Sequence, residues 1–129
     1  MVAKTLTLRL NGKALRVPVR FDESAHIDEF QRLLTACIRQ ERAMKGPKAH
    51  AAAEDYGQAI EALYGLIFGK EWTRAILAWF GDEVRQMISQ INPFVLQTVV
   101  PAVRAASARK REEMRKAFLR AQKKAGKAK

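Results

Sequence analysis

The sequence is poor in the residues that enzymes and metal-binding proteins use. Its one cysteine, Cys37, excludes a disulfide within the chain and a zinc site built from several cysteines. The two histidines, His26 and His50, have no metal-ligand residues at the usual spacing. None of the glycine- or serine-centred motifs of nucleotide-binding proteins and hydrolases occurs. We therefore expect no enzyme activity, no cofactor and no metal site.

Long apolar runs are also missing. Nowhere do about 18 apolar residues follow one another, the length that a membrane-spanning helix needs. Lys4 and Arg9 interrupt the apolar residues at the start, so the chain has no signal-peptide core. These absences predict a soluble intracellular protein that does not enter a membrane.

The charge is large but unevenly distributed. The 129 residues include 24 Lys and Arg against 13 Asp and Glu, which gives a net charge of +11. Residues 1–21 carry +5, residues 22–101 carry −3 and residues 102–129 carry +9. Because the middle of the chain is mildly acidic, a uniformly basic protein that coats nucleic acid is a poor description of this chain. Hydrophobic residues make up 48% of the chain, enough to bury a core.

Residues 4–21 predict a β-hairpin. Apolar and polar residues alternate on both sides of Asn11-Gly12, a pair that favours a two-residue type I′ turn. Such a turn pairs residues whose numbers add to 23, so Leu8 faces Leu15 and the apolar residues of both strands share one face. A two-stranded hairpin is marginal in water, so the helices that follow should cover that face.

Apolar residues at three- and four-residue spacing predict helices in the rest of the chain. We expect a helix that ends at Gly46-Pro47, helices over residues 48–68, 71–80 and 82–91, and a last helix that starts at Asn92-Pro93 and bends at Pro101. Gly57 and Gly65 inside the second long helix suggest points of close helix packing.

The predicted fold class is mainly α with a small N-terminal β-hairpin (α+β). Residues 1–101 should form the hairpin and a compact helical body. Residues 102–129 should form a long, projecting basic extension of the last helix that frays beyond Gly126.

Two sets of side chains are candidates for binding a partner. The apolar set consists of aromatics of the third helix and apolar residues of the last: Trp72, Trp79, Phe80, Phe94, Met114 and Phe118. For any single aromatic of the body, ordinary core packing is the alternative. The basic set lies on the last helix: Arg109, Lys110, Arg111, Arg115, Lys116 and Arg120. Proteins that bind single strands interleave aromatics among such cations, and this segment has only Phe118, so a protein partner is favoured over nucleic acid.

The order of features resembles the tail assembly chaperones of long-tailed, siphovirus-type bacteriophages and prophages. The resemblance covers most of the chain. It consists of the hairpin turn in residues 8–13 (LRLNGK), the junction Phe21-Asp22-Glu23, a Phe-Gly junction at residues 68–69 or 80–81, and a last helix from residue 94 to 124 with a proline in an apolar run. The alanine-rich residues 49–53 and the two tryptophans depart from the pattern.

The resemblance implies a non-catalytic assembly factor in the host cytoplasm that binds the tape-measure protein, keeps it soluble and recruits the tail-tube protein. The helical body around residues 72–80 and 94–103 would hold the client, and the basic helix would attract acidic partners. A homo-oligomer is possible. The alternatives are a small basic nucleic-acid-binding protein and a protein inhibitor encoded by a mobile element.

Overall fold

A computed structural model describes residues 1–47 and 49–127. The chain forms strands β1 (Val2–Leu10) and β2 (Lys13–Phe21), then a 3-10 turn (Glu23–Ala25). Helices α1 (Ile27–Ala43), α2 (Ala49–Phe68), α3 (Lys70–Phe80) and α4 (Val84–Phe94) follow. A π turn (Val95–Val99) joins α4 to the last helix, α5 (Val100–Lys127). The predicted fold class, mainly α with an N-terminal hairpin and a long C-terminal helix, is confirmed.

The hairpin has the predicted register. β1 and β2 are antiparallel, and every pair from Val2–Phe21 to Leu10–Lys13 adds to 23. Asn11 and Gly12 have φ values of 51° and 77°, the two positive angles that a type I′ turn requires. Pro18 is exposed and lies opposite Thr5 at a position without ladder hydrogen bonds, so its nitrogen faces away from β1.

One side chain of α4 closes part of the free edge of β1. Gln90 Oε1 accepts a hydrogen bond from the backbone N–H of Arg9 at 2.7 Å, and Gln90 Nε2 donates to the Arg9 carbonyl at 2.7 Å. Unpaired backbone groups of an edge strand otherwise face water or another chain. The amide of Gln90 therefore acts as a short substitute for a third strand and joins segments 81 residues apart.

The apolar face of the hairpin lies against the helices in one continuous core. The ring centre of Phe21 is 5.9 Å from that of His26 and 5.9 Å from that of Phe30. The largest side chains with less than 2% exposure come from both strands and from every helix: Leu8, Val17, Val19, Phe21, Phe30, Tyr64, Ile67, Ile76, Ile91, Val99 and Val103. The helices thus supply the cover that the isolated hairpin lacks.

Glu23 is a buried acid in the turn between the hairpin and α1. Its Oε1 accepts a hydrogen bond from the ammonium group of Met1 at 2.9 Å, and its side chain is only 9% exposed. The ammonium group lowers the pKa of Glu23 even though burial acts in the opposite direction. This ion pair ties the start of β1 to the turn that leads into α1.

The predicted start of the last helix at Asn92-Pro93 is wrong. Pro93 lies inside α4, and the helical path continues through the π turn into α5. Ile91 and Val95 are buried on the core face, so packing holds this segment helical despite the missing N–H of Pro93. Pro101, where the sequence predicts a bend, lies in the first turn of α5, and the π turn ends two residues before it.

The interpretation of Gly57 and Gly65 as close-packing points is also wrong. A Cβ atom at either position would meet no other atom within 4 Å apart from the neighbouring helix backbone. The glycines that end helices do have a conformational role, since Gly69 and Gly81 take φ values of 86° and 56°.

The last helix leaves the body later than residue 102. Val103 and Ala106 are buried, whereas every residue from 108 to 126 is exposed. We call residues 108–126 the arm; at 1.5 Å per residue it is about 28 Å long. The predicted fraying beyond Gly126 concerns Lys127, which ends α5, and residues 128 and 129, which lie outside the described residues.

Candidate partner-binding surface

The aromatic candidates of the body lie mostly in or against the core. Phe80 is 3% exposed, because Ile76 and Phe80 form the inward face of α3. It offers no surface to a partner, so its assignment to a binding surface is wrong. Trp79 packs edge-on against Phe80 with ring centres 5.0 Å apart. Trp72 and Trp79 are half-buried, and Phe94 is half-buried with its ring stacked on Phe68 at 6.3 Å. These three side chains can contribute only part of their area to an interface.

The apolar candidates of the arm are exposed. Met114 is 64% exposed and Phe118 is 63% exposed. They lie four residues apart on α5, one turn from each other on the same side of the helix. The body leaves this pair uncovered, and both residues were candidates from the sequence.

The basic candidates also lie on the arm, and each of them is exposed: Arg109, Lys110, Arg111, Arg115, Lys116 and Arg120. The arm holds eight basic residues and two acidic residues. Arg115 donates two hydrogen bonds to Glu112, at 2.7 and 3.2 Å, so one of the two carboxylates is already neutralised within the helix. The remaining positive charge faces solvent around Met114 and Phe118.

A pocket of about 300 Å³ marks the place where the arm leaves the body. Ser24 and Ile27 line it from the body, and Arg109, Lys110 and Glu113 line it from the arm. Its two cations outnumber its one acid, which favours an acidic group of a partner over a basic one. The sequence indicated these cations but could not show that they stand beside the first turn of α1.

Two other surface features escaped the sequence analysis. A groove of about 530 Å³ runs between α1, α2 and α3, with Glu29 and Glu61 balanced by Lys70 and Arg74. A smaller cavity of about 110 Å³ is lined by Cys37, Tyr56 and Asn92 and bordered by two apolar side chains that are about half exposed, Ile38 and Leu96. The periodicity placed Ile38 in the stripe of α1, but it could not show that this end of the stripe is uncovered.

Two chemically reactive groups are the thiol of Cys37 and the imidazole of His26. Burial, with a smaller effect of Glu41, raises the pKa of the Cys37 thiol to about 11, so it is a poor nucleophile at neutral pH. His26 Nδ1 lies 3.7 Å from Glu29 at the surface. In residues 1–47 and 49–127, no group of three or more histidine, cysteine or acidic side chains could hold a metal ion.

No helix in the described part of the chain is long and apolar enough to cross a membrane.

No protein-family model, curated protein or solved structure matches this chain.

Proposed function

We propose that this protein is a non-catalytic tail assembly chaperone of siphovirus-type phages and that the arm is its main partner-binding element. One observation carries the second part of the proposal: Met114 and Phe118 are each nearly two-thirds exposed on a helix that has already left the body. The identity of the partner, the tape-measure protein first and the tail-tube protein second, comes from the resemblance of the sequence pattern to that family.

The arm has the properties that a chaperone for helical clients needs. Apolar side chains one turn apart are the usual anchors when one helix packs on another protein. The surrounding lysines and arginines keep the exposed apolar pair soluble and accelerate encounters with acidic partners. The same helix can therefore remain in solution without a client and bind one when it is made.

The role expected of the body is reduced accordingly. Phe80 is buried, and Trp72, Trp79 and Phe94 are half-buried, so we propose that these three form at most the rim of a client-binding surface. The proposal retains the host cytoplasm as the place of action and a homo-oligomer as a possible assembly.

Co-expression with the tape-measure protein of the same phage or prophage genome tests the proposal. The wild-type protein should raise the soluble fraction of the tape-measure protein several-fold. The double variant Met114→Gln, Phe118→Gln should lose most of this effect, since it removes the exposed apolar pair but keeps good helix formers. Leu119→Gln is the matched control, because Leu119 is 45% exposed on another side of the same helix.

Two outcomes would contradict the proposal. If the wild-type protein leaves the tape-measure protein insoluble, the chaperone function fails. If the double variant rescues solubility as well as Leu119→Gln does, the chaperone function stands but the arm is not its binding element. Circular dichroism of each variant verifies that the helix content is unchanged.

A nucleic-acid-binding protein is the second candidate, favoured by two exposed basic surfaces. The first is the arm, and the second is the outer face of the hairpin, where Arg9, Arg16 and Arg20 are exposed. Phosphate binding by these cations would make the logarithm of the affinity fall linearly with the logarithm of the salt concentration, and it would not depend on Phe118. Titration of a labelled oligonucleotide at several salt concentrations, with wild type and Phe118→Gln, distinguishes this candidate from the chaperone.

A further inference from the structure

We propose that the segment that binds the arm is an acidic amphipathic helix, packed along one strip of α5 formed by Met114, Ala117, Phe118 and Ala121. This inference rests on the proposed function, which supplies a protein partner for the arm, and adds the chemistry and shape of the partner segment. Four observations support it: the position of the strip around the helix, the size of its side chains, the charge on both sides of it, and its length.

The strip continues the face of α5 that packs on the body. Successive residues of an α-helix are rotated by about 100°, so Met114 lies about 20° from Val103 around the axis, and Ala121 points in almost the same direction as Val103. Val103 is 1% exposed in the core. The face that the body covers at the start of α5 is therefore apolar again beyond the body, where nothing in the described residues covers it.

The size of the side chains on the strip suits a second helix. Ala117 and Ala121 are small, while Met114 and Phe118 project between them. Two helices pack closely when long side chains of one helix fit into the grooves over short side chains of the other. Leu119, about 100° from Phe118, is outside the strip.

Charge determines which helix fits. Arg111 lies about 60° from Met114 on one edge of the strip and Lys124 lies about 80° from it on the other edge, while Lys110 continues the strip toward the body. Of the two acids of the arm, Glu112 is paired with Arg115, and Glu113 lies about 100° from Met114 on the side of Lys124. Among the described residues, neither Arg111 nor Lys124 has an acidic partner within hydrogen-bonding distance.

A second copy of this chain is therefore a poor occupant. Pairing two arms would bring eight basic residues of one copy against eight of the other, with only two acidic residues on each side. A helix with Asp and Glu beside its apolar stripe would instead place opposite charges along both edges.

The length of the arm sets the size of the partner segment. About 28 Å of exposed helix accommodates a partner helix of roughly 18 residues, or five turns. At the inner end, Lys110 lies about 40° from Met114 around the helix axis and lines the pocket beside Ile27. An acidic residue at the end of the partner helix can reach Lys110 there.

Synthetic helices test the inference with the full-length protein. The probe is a fluorescein-labelled peptide of about 18 residues with Leu at helical three- and four-residue spacing and Glu at the flanking positions. One matched peptide has Lys in place of Glu, and a second has the composition of the probe in scrambled order. Fluorescence anisotropy at about 0.15 M salt gives the three affinities, and analytical ultracentrifugation gives the oligomeric state.

We expect the acidic amphipathic peptide to bind at least about 10-fold more tightly than either matched peptide, because it alone complements both the strip and its edges. The double variant Met114→Gln, Phe118→Gln should lose about 10-fold or more of this affinity. Leu119→Gln should bind within about twofold of wild type. Helical circular dichroism verifies that all three proteins are folded.

Four results would overturn the inference. Equal binding of the scrambled peptide would show that charge alone is recognised, and equal binding by the double variant would place the site elsewhere. A dimer that the double variant abolishes would make a second copy the occupant. If the protein keeps the tape-measure protein soluble but does not bind the acidic peptide, the inference fails while the proposed function stands. Peptide binding without rescue of the client refutes the proposed function instead.

Discussion

The contact between Gln90 and β1 gives the sharpest test of the fold. Replacing Gln90 with Ala removes two hydrogen bonds of 2.7 Å to the backbone of Arg9. Each hydrogen bond contributes about 0.5–1.5 kcal/mol net to the free energy of unfolding. At this exposed site, water can replace both bonds in the variant. We therefore expect the free energy of unfolding to fall by about 1–2 kcal/mol. Ala is itself a good helix former, so α4 should remain intact.

Urea unfolding followed by circular dichroism measures the change. Gln86→Ala is the matched control, since Gln86 lies one turn earlier on α4 and makes one longer bond, 3.3 Å, to Glu83. It should change the stability by less than about 0.5 kcal/mol. The slope of the free energy against urea should be the same for both variants, because the surface exposed on unfolding is unchanged.

Hydrogen exchange adds a residue-specific measurement. The Arg9 N–H points away from β2, and Gln90 is the acceptor that the structure gives it. In Gln90→Ala this amide should exchange much faster, while the Leu8 amide, which bonds across the hairpin to Leu15, stays protected. The reasoning is refuted if Gln90→Ala costs no more than Gln86→Ala, or if Arg9 exchange is the same in the variant as in wild type.

Three further measurements probe other parts of the structure. Gly57→Ala should stabilise the protein by about 0.5–1 kcal/mol, because Ala is the better helix former and an added Cβ meets no atom within 4 Å. Gly12→Ala should destabilise it by about 1–2 kcal/mol, because Gly12 has a φ of 77°. Shifts of the thermal unfolding midpoint in the same direction for both variants would contradict this prediction. The Met1 ammonium lowers the pKa of Glu23 in the folded state. The ion pair therefore contributes to the free energy of unfolding above the ordinary pKa of 4.5, and this contribution disappears as the pH falls through the lowered pKa. In urea titrations between pH 6 and 3, the advantage of wild type over Glu23→Gln should shrink with acid, and an advantage that grows instead would be inconsistent with the ion pair. With a pKa of about 11, about one Cys37 thiol in a thousand is ionised at pH 8. A thiol reagent should therefore react slowly with Cys37 in the folded protein and rapidly with it in urea. Equal reaction rates in the two conditions would show that the thiol is exposed in the folded protein.

Local signals predicted the hairpin and most of the helices correctly. The turn geometry at Asn11-Gly12 and the alternation of apolar residues depend only on near neighbours, and each independently selects the register that the structure has. The boundaries at Gly69 and Gly81 follow from the same kind of local chemistry, since a positive φ favours glycine.

Predictions failed where packing outweighed a local preference. Asn92-Pro93 has the composition of a helix start, but Ile91 and Val95 contribute more by facing the core than Pro93 costs. Gly57 and Gly65 resemble packing glycines in sequence, but their surroundings in space are open. Gln90 gave no signal at all, because its partner lies 81 residues away.

The same distinction applies to the candidate surface. The sequence by itself determined that α5 ends in a basic segment with Met114 and Phe118 one turn apart, because helical periodicity and side-chain charge are properties of the chain. Only the tertiary structure decided which apolar residues are covered: Ile76 and Phe80 have the same four-residue spacing as Met114 and Phe118, yet Phe80 is buried and Phe118 is exposed. The physical reason is that burial depends on whether another element covers a face, and no element of the described body buries a residue of α5 beyond Ala106.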